Sequence, residues 1–242
     1  MTDNDKLALG ASLASLDTGY RALILGASGG IGSALANQIA EDGNCEMLVR
    51  LSRREHGFDI TNEASVGSAA KDLGTKDFDL IICATGALTI GGSGPEKSIK
   101  HISQEAMMAQ FAVNAVGPAL ALKHFVPLLA KRRRSIFAFL SARVGSIEDN
   151  RLGGWISYRS SKAALNQIVR TAGIEVSRTH PASTIVAVHP GTVATELSEP
   201  FSSGHKRMEP NEAASKILGM LDCLQPADTG KFFAYDGTAI PW

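Results

Sequence analysis

Tyr20-Arg21-Ala22-Leu23-Ile24-Leu25-Gly26-Ala27-Ser28-Gly29-Gly30-Ile31-Gly32 runs from an apolar stretch into a cluster of glycines. The residues that follow, Gly30–Asp42, repeat Ala, Leu and Ile at helical spacing. A strand, a glycine turn and a helix start form a ready site for the phosphates of a dinucleotide. The missing side chains let the backbone come close, and the helix N-terminus favours negative charge. The glycines at positions 26, 30 and 32 depart from the Gly-x-Gly-x-x-Gly spacing of the other dinucleotide fingerprint. A tight turn alone would also explain them, but their place at the head of an alternating chain favours a cofactor.

Outward from this stretch, strand-like and helix-like segments alternate. Strands are expected at Tyr20–Gly26, Met47–Ser52, Gly57–Asp59, Asp79–Cys83, Ser135–Leu140, Ser183–His189 and Lys231–Tyr235. Helices are expected at Gly30–Asp42, Asn62–Leu73, Gln104–Ala130, Trp155–Arg178 and Asn211–Leu224. Continuous apolar runs such as Leu80-Ile81-Ile82-Cys83 mark strands buried on both faces. The expected fold is therefore α/β, a Rossmann-type doubly wound, mostly parallel seven-stranded sheet with helices on both faces. Residues 19–242 form one domain, and residues 1–18 read as a flexible extension. Gly86–Gly94 and Pro200–Pro210 read as irregular excursions after strand ends, where such sheets bind ligands.

The 242 residues carry 24 Lys plus Arg and 24 Asp plus Glu. A balanced charge gives no long-range attraction to nucleic acid or an anionic membrane, so neither is expected as a partner. Cys45, Cys83 and Cys223 are odd in number and far apart, which disfavours a disulfide framework or a zinc site and points to a reducing cytoplasm. Asp3 and Asp5 stand where a secretory leader wants positive charge. No run of about 20 apolar residues is evident, so no bilayer span is expected. Lys131-Arg132-Arg133-Arg134 reads as a solvated turn at a helix end, where cations suit the dipole. His189 has no second ligand at metal spacing and reads as structural, so no metal is expected.

About 20 residues past the glycines, an NAD enzyme places an acid for the ribose hydroxyl. Here Ser52 and Arg53 stand instead, and a forked cation suits a 2′-phosphate. NADP(H) is therefore preferred and NAD(H) is possible; the alternative is a solvated basic turn. Asp59 and Ile60 fall where the adenine would be met, although Thr61 or Asn62 as a helix cap is equally natural.

Tyr158 and Lys162 lie four apart on an expected helix, so both project from one face. A nearby ammonium favours the phenolate and brings a phenol toward useful proton transfer. Such a pair is common by chance, but here it has company. Ser141 ends the strand Ile136–Leu140, Asn114 lies in the preceding helix, and Pro190-Gly191-Thr192-Val193 follows the next strand.

Together these residues resemble the short-chain dehydrogenase/reductase family from about Tyr20 onward. The resemblance implies a catalytic tetrad of Asn114, Ser141, Tyr158 and Lys162. Tyr158 would be the acid in carbonyl reduction, Ser141 would bond the substrate oxygen, and Lys162 would hold the ribose and tune Tyr158. Asn114 would anchor a proton-carrying water. It implies a cofactor site of Gly26, Ser28, Gly30, Ile31, Gly32, Ser52, Arg53, Asp59, Ile60, Ala84, Thr85, Gly86, Asn114, Tyr158, Lys162, Pro190, Gly191, Thr192, Val193 and Thr195. Arg143, Trp155 and Phe201 flank the presumed substrate mouth. Ser141–Ser146, Asp149–Trp155 and the ending Asp236–Trp242 resemble more narrowly the subgroup of the bacterial C-factor signalling protein.

Leu25 departs from the family's Thr, Cys83-Ala84-Thr85-Gly86 replaces Asn-Asn-Ala-Gly, and Glu148–Gly154 reads as extra. The resemblance implies a small carbonyl or alcohol substrate and a homodimer or homotetramer. The competing reading is a nucleotide-bound signalling protein in which turnover is secondary.

Overall fold

The computed structural model describes residues 13–92, 94–196, 198–199 and 207–242. Six strands, β1 Tyr20–Leu25, β2 Cys45–Leu51, β3 Leu80–Cys83, β4 Ser135–Leu140, β5 Ser183–His189 and β6 Phe232–Ala234, form one sheet in the order β2-β1-β3-β4-β5-β6. Every neighbouring pair is parallel. The order reverses between β1 and β3, and the crevice beyond their carboxyl ends is where such sheets hold ligands.

Alternation along each strand divides the core in two. Leu23 and Leu25 of β1, with Ile81 and Cys83 of β3, face one layer; Ala22 and Ile24, with Leu80 and Ile82, face the other. The first layer is closed by α3 Glu63–Asp72, α5 Gly117–Phe125 and α6 Ile156–Val176, which contribute Val66, Phe125 and Val169. The second is closed by α1 Gly30–Glu41 and α7 Pro210–Cys223, through Leu35, Ile39, Ile217 and Leu221. Each such side chain taken from water contributes roughly 1.5–3 kcal/mol before entropy is counted.

Several expected features differ in the structure. Gly57–Asp59, expected as a strand, forms none: Ser52 caps a four-residue turn, α2 Arg53–His56, and Gly57 leaves it with φ 65. Phe58 then drops into the core rather than extending the sheet past β2. The long helix expected over Gln104–Ala130 is broken into α4 Gln104–Phe111, a π turn at Ala112–Val116, α5 and a 3₁₀ turn at Val126–Leu128. By length and mean hydropathy of 1.3, Gln104–Leu128 passes for a bilayer span, contrary to the sequence reading. Its contacts with α3 and α6 and its buried Gln110 and Asn114 place it in the fold.

The basic run is structural as well as solvated. Arg133 pairs with the buried Asp79, and Arg134 bonds the carbonyls of Leu221 and Asp222. Of the expected extension, residues 1–12 lie outside the described residues. Leu13 and Leu16 are buried, and Ser15 N–H bonds Asp222, so packing begins by Leu13.

Candidate active site

The turn after β1 is built as the glycines require. Gly26 has φ +87, and its N–H bonds the Leu51 carbonyl at 2.8 Å. A Cβ on Gly32 would lie 2.2 Å from the Gly26 oxygen, and one on Gly30 would lie 2.6 Å from Thr195 Cγ2. Only glycine permits this packing, which leaves the first turn of α1 open toward the crevice.

That crevice has a volume of about 800 Å³. Ser28, Gly30, Ile31 and Gly32 line one side, Ala84, Thr85 and Gly86 the floor, and Pro190 and Thr195 the other side. Ser141, Tyr158 and Lys162 close its inner end. A polar trench that begins at a helix N-terminus and ends at a buried cation fits the phosphates and ribose of a dinucleotide.

Gly26 supports the trench from beneath. Ser33, Asn37 and Arg54 also line it and were not anticipated. Both arginines of α2 are exposed, but Arg54 and not Arg53 lines the trench; the Arg53 charge helps hold the Asp59 carboxyl down, after the bonds from Thr61. Ser52 is buried, its hydroxyl within reach of Glu55 and His56. Asp59 is occupied by Thr61 N–H and Oγ, while Ile60 packs against Gly117. These four do not line the trench.

Tyr158 and Lys162 stand one turn apart on α6, with Lys162 Nζ 6.0 Å from the phenol ring centroid. Lys162 donates to the Leu140 carbonyl at 2.9 Å, tying the helix to the end of β4. Burial pushes the Tyr158 phenol up and brings Lys162 down to about 8. In the protein alone, desolvation thus outweighs the lowering of the phenol anticipated from a neighbouring ammonium.

Asn114 sits in the π turn, an irregularity that turns its amide out of the helical register. Its Oδ1 accepts from Ala87 N–H at 3.0 Å, and its Nδ2 reaches Ala87 O, Gln110 Oε1 and Ser161 Oγ. A Cβ on Gly86 would lie 3.2 Å from Lys162 Nζ and 3.3 Å from Asn114 Oδ1, so the amide and the ammonium meet over that glycine. The fourth member, Ser141, donates to Asn166 Oδ1 at 2.7 Å. Neither Asn166 nor Gln110 carries a sequence signal, because each also bonds a partner distant in the chain, Asn166 to Ser141 and Gln110 to the Leu88 carbonyl.

A second cleft of about 760 Å³ opens on the far side of Tyr158. Ser141, Arg143 and Trp155 line it, with Gly191, Thr192 and Val193 opposite. Phe201 lies outside the described residues. Trp155 holds φ 53, a left-handed conformation that costs a non-glycine residue about 1–3 kcal/mol. Its N–H bonds Glu96 O, and its ring meets that of Tyr158 edge-on at 6.4 Å. His189 also lines this cleft, and burial brings it down to about 4, so it is neutral near pH 7.

The profile of a family described as enoyl-(acyl carrier protein) reductase matches residues 26–237. The 1-hydroxy-2-glutathionyl-2-methyl-3-butene dehydrogenase of Rhodococcus sp. (strain AD45) is 28% identical over 91% of this chain and 98% of its own. C-signal of Myxococcus xanthus is 31% identical over 63% of this chain and 88% of its own. The NADPH-bound carbonyl reductase from chicken fatty liver shares the fold, with a TM-score of 0.81 at 24% identity over 94% of this chain and 95% of that one.

Proposed function

The chain belongs to the short-chain dehydrogenase/reductase family of NAD(P)-dependent oxidoreductases, and on that premise we propose that it reduces a small ketone, aldehyde or quinone with NADPH, or runs the reverse. The observation that carries the reading is one continuous wall. The glycine turn and Lys162 line the cofactor trench, while Tyr158 and Ser141 line both the trench and the second cleft.

A bound nicotinamide supplies the hydride. The residues do the rest: Lys162 holds the ribose end, and the α1 N-terminus with Arg54 holds the phosphates. Thr192 and Val193 would meet the carboxamide. Tyr158, protonated because it is buried, is suited to deliver a proton to a carbonyl oxygen while Ser141 steadies the charge on that oxygen. Asn114, bonded to Ala87 beside Lys162, orients the proton path.

NADPH preference is supported by Arg54 and by Ser52 and Arg53 standing directly after β2 where an acid would bind the ribose hydroxyl; NADPH is also named in the chicken structure. Likeness to C-signal keeps a signalling role in view, but the assembled tetrad favours turnover. A cytoplasmic setting and a homodimer or homotetramer belong to the same proposal; Met108, Val116 and Ile174 are exposed apolar residues on the long helices. The test is NADPH consumption with product detection across a carbonyl panel. Reduction of at least one carbonyl supports the reading, and none across the panel contradicts it.

A further inference from the structure

We propose that the cleft beyond Tyr158 selects carbonyl compounds bearing a carboxylate on an apolar frame, and that Arg159 reads the charge. This rests on the reading of Tyr158 as the proton donor. Leu88, Val144, Leu152 and Trp155 give the cleft apolar walls, while its charged lining residues, among those described, are Arg143 and Arg159, with no Asp or Glu.

The two arginines differ. Arg143 is already answered by Asp149, Nε to Oδ2 at 2.6 Å. Arg159 has no ion pair among the described residues. Its Nε bonds the Gly154 carbonyl at 3.0 Å and its Nη1 the Val144 carbonyl at 3.4 Å. Neutral acceptors fix the guanidinium in place and leave its charge unmatched, with three of its five N–H groups still to donate. The acid in the adjoining hollow, Glu96, gives both carboxylate oxygens to Ser157.

Helix stability does not account for this cation. It stands in the first turn of α6, where the helix dipole is already positive and a cation is unfavourable. Partial burial adds to the cost, lowering its hold on its proton. A fixed, half-buried fork without a counter-ion, one residue from the proton donor and facing the same cleft, is a receptor for a carboxylate.

The test compares 4-formylbenzoate with its methyl ester, each reduced with NADPH. Wild type should favour the carboxylate by about tenfold or more in kcat/KM. The ratio should fall to about 1 in Arg159→Met and recover in part in Arg159→Lys. A wild-type ratio near 1, or one unmoved in Arg159→Met, overturns the inference while the turnover of both aldehydes leaves the reductase reading standing. If neither aldehyde is reduced, tryptophan fluorescence decides separately. Saturable quenching by 4-formylbenzoate, absent with the ester and lost in Arg159→Met, supports the carboxylate site; no quenching overturns it.

Discussion

Ser141 Oγ lies 2.7 Å from Asn166 Oδ1, so the hydroxyl proposed to meet the substrate spends its proton on an amide two turns beyond Tyr158. The Asn166 Nδ2 is buried without a partner. A half-turn of that amide lets Nδ2 donate to Ser141 and releases the serine proton for a substrate oxygen. Asn166→Asp offers acceptors only and should hold the proton back. We expect kcat to fall by up to about 10²-fold with KM little changed, approaching Ser141→Ala; steady-state kinetics with wild-type rates for Asn166→Asp would refute this.

Lys162 should cost stability in the absence of ligand. Its folded value of about 8 lies below the ordinary 10.5, so below pH 8 the folded state carries a charge that burial disfavours, at about 3 kcal/mol. That cost is relieved as pH rises from 8 toward 10.5, where the unfolded chain still binds the proton. Lys162→Met loses the bond to Leu140 yet should melt a few degrees higher than wild type at pH 7. The gap should narrow toward pH 10, and carbonyl reduction should be lost. Melting curves across pH check it, and a lower melting point at pH 7 would count against it.

Cofactor choice should follow Arg54 more than Arg53. Arg54→Ala is expected to weaken NADPH by about tenfold or more and NADH little, whereas Arg53→Ala should change both modestly. Fluorescence titration of the four combinations decides it, and equal losses of NADPH and NADH in Arg54→Ala would remove the assignment.

Gly32→Ala forces a methyl against the Gly26 carbonyl. The turn must open, so NADPH affinity should drop by at least about tenfold and the melting temperature by several degrees. Unchanged binding would show that the turn does not cradle the cofactor.

The parts of this fold written in neighbouring residues were legible. β1, β3, β4 and β5 are continuous apolar runs, and the glycine turn and Tyr158/Lys162 spacing are local patterns. Gly57–Asp59 misled because Phe58 is apolar for a different reason: it plugs the core after a left-handed glycine. A uniform apolar period over Gln104–Ala130 hid the π turn, since one extra residue per turn leaves composition unchanged. Arg53 and Arg54 differ only in which way a four-residue helix points them. Asn166, Gln110 and Glu96 act through bonds to partners 25, 22 and 61 residues away, and polar residues at such positions have no periodicity to betray them.

Tyr158 is proposed to supply the proton beside a bound nicotinamide. Tyr158→Phe removes one oxygen and leaves the cleft walls and Lys162 in place. Product-detected reduction by NADPH, measured alongside NADPH binding to the same preparations, should fall by about 10²–10⁴-fold while affinity stays within a few-fold of wild type. Retention of wild-type turnover by the phenylalanine variant would contradict the account.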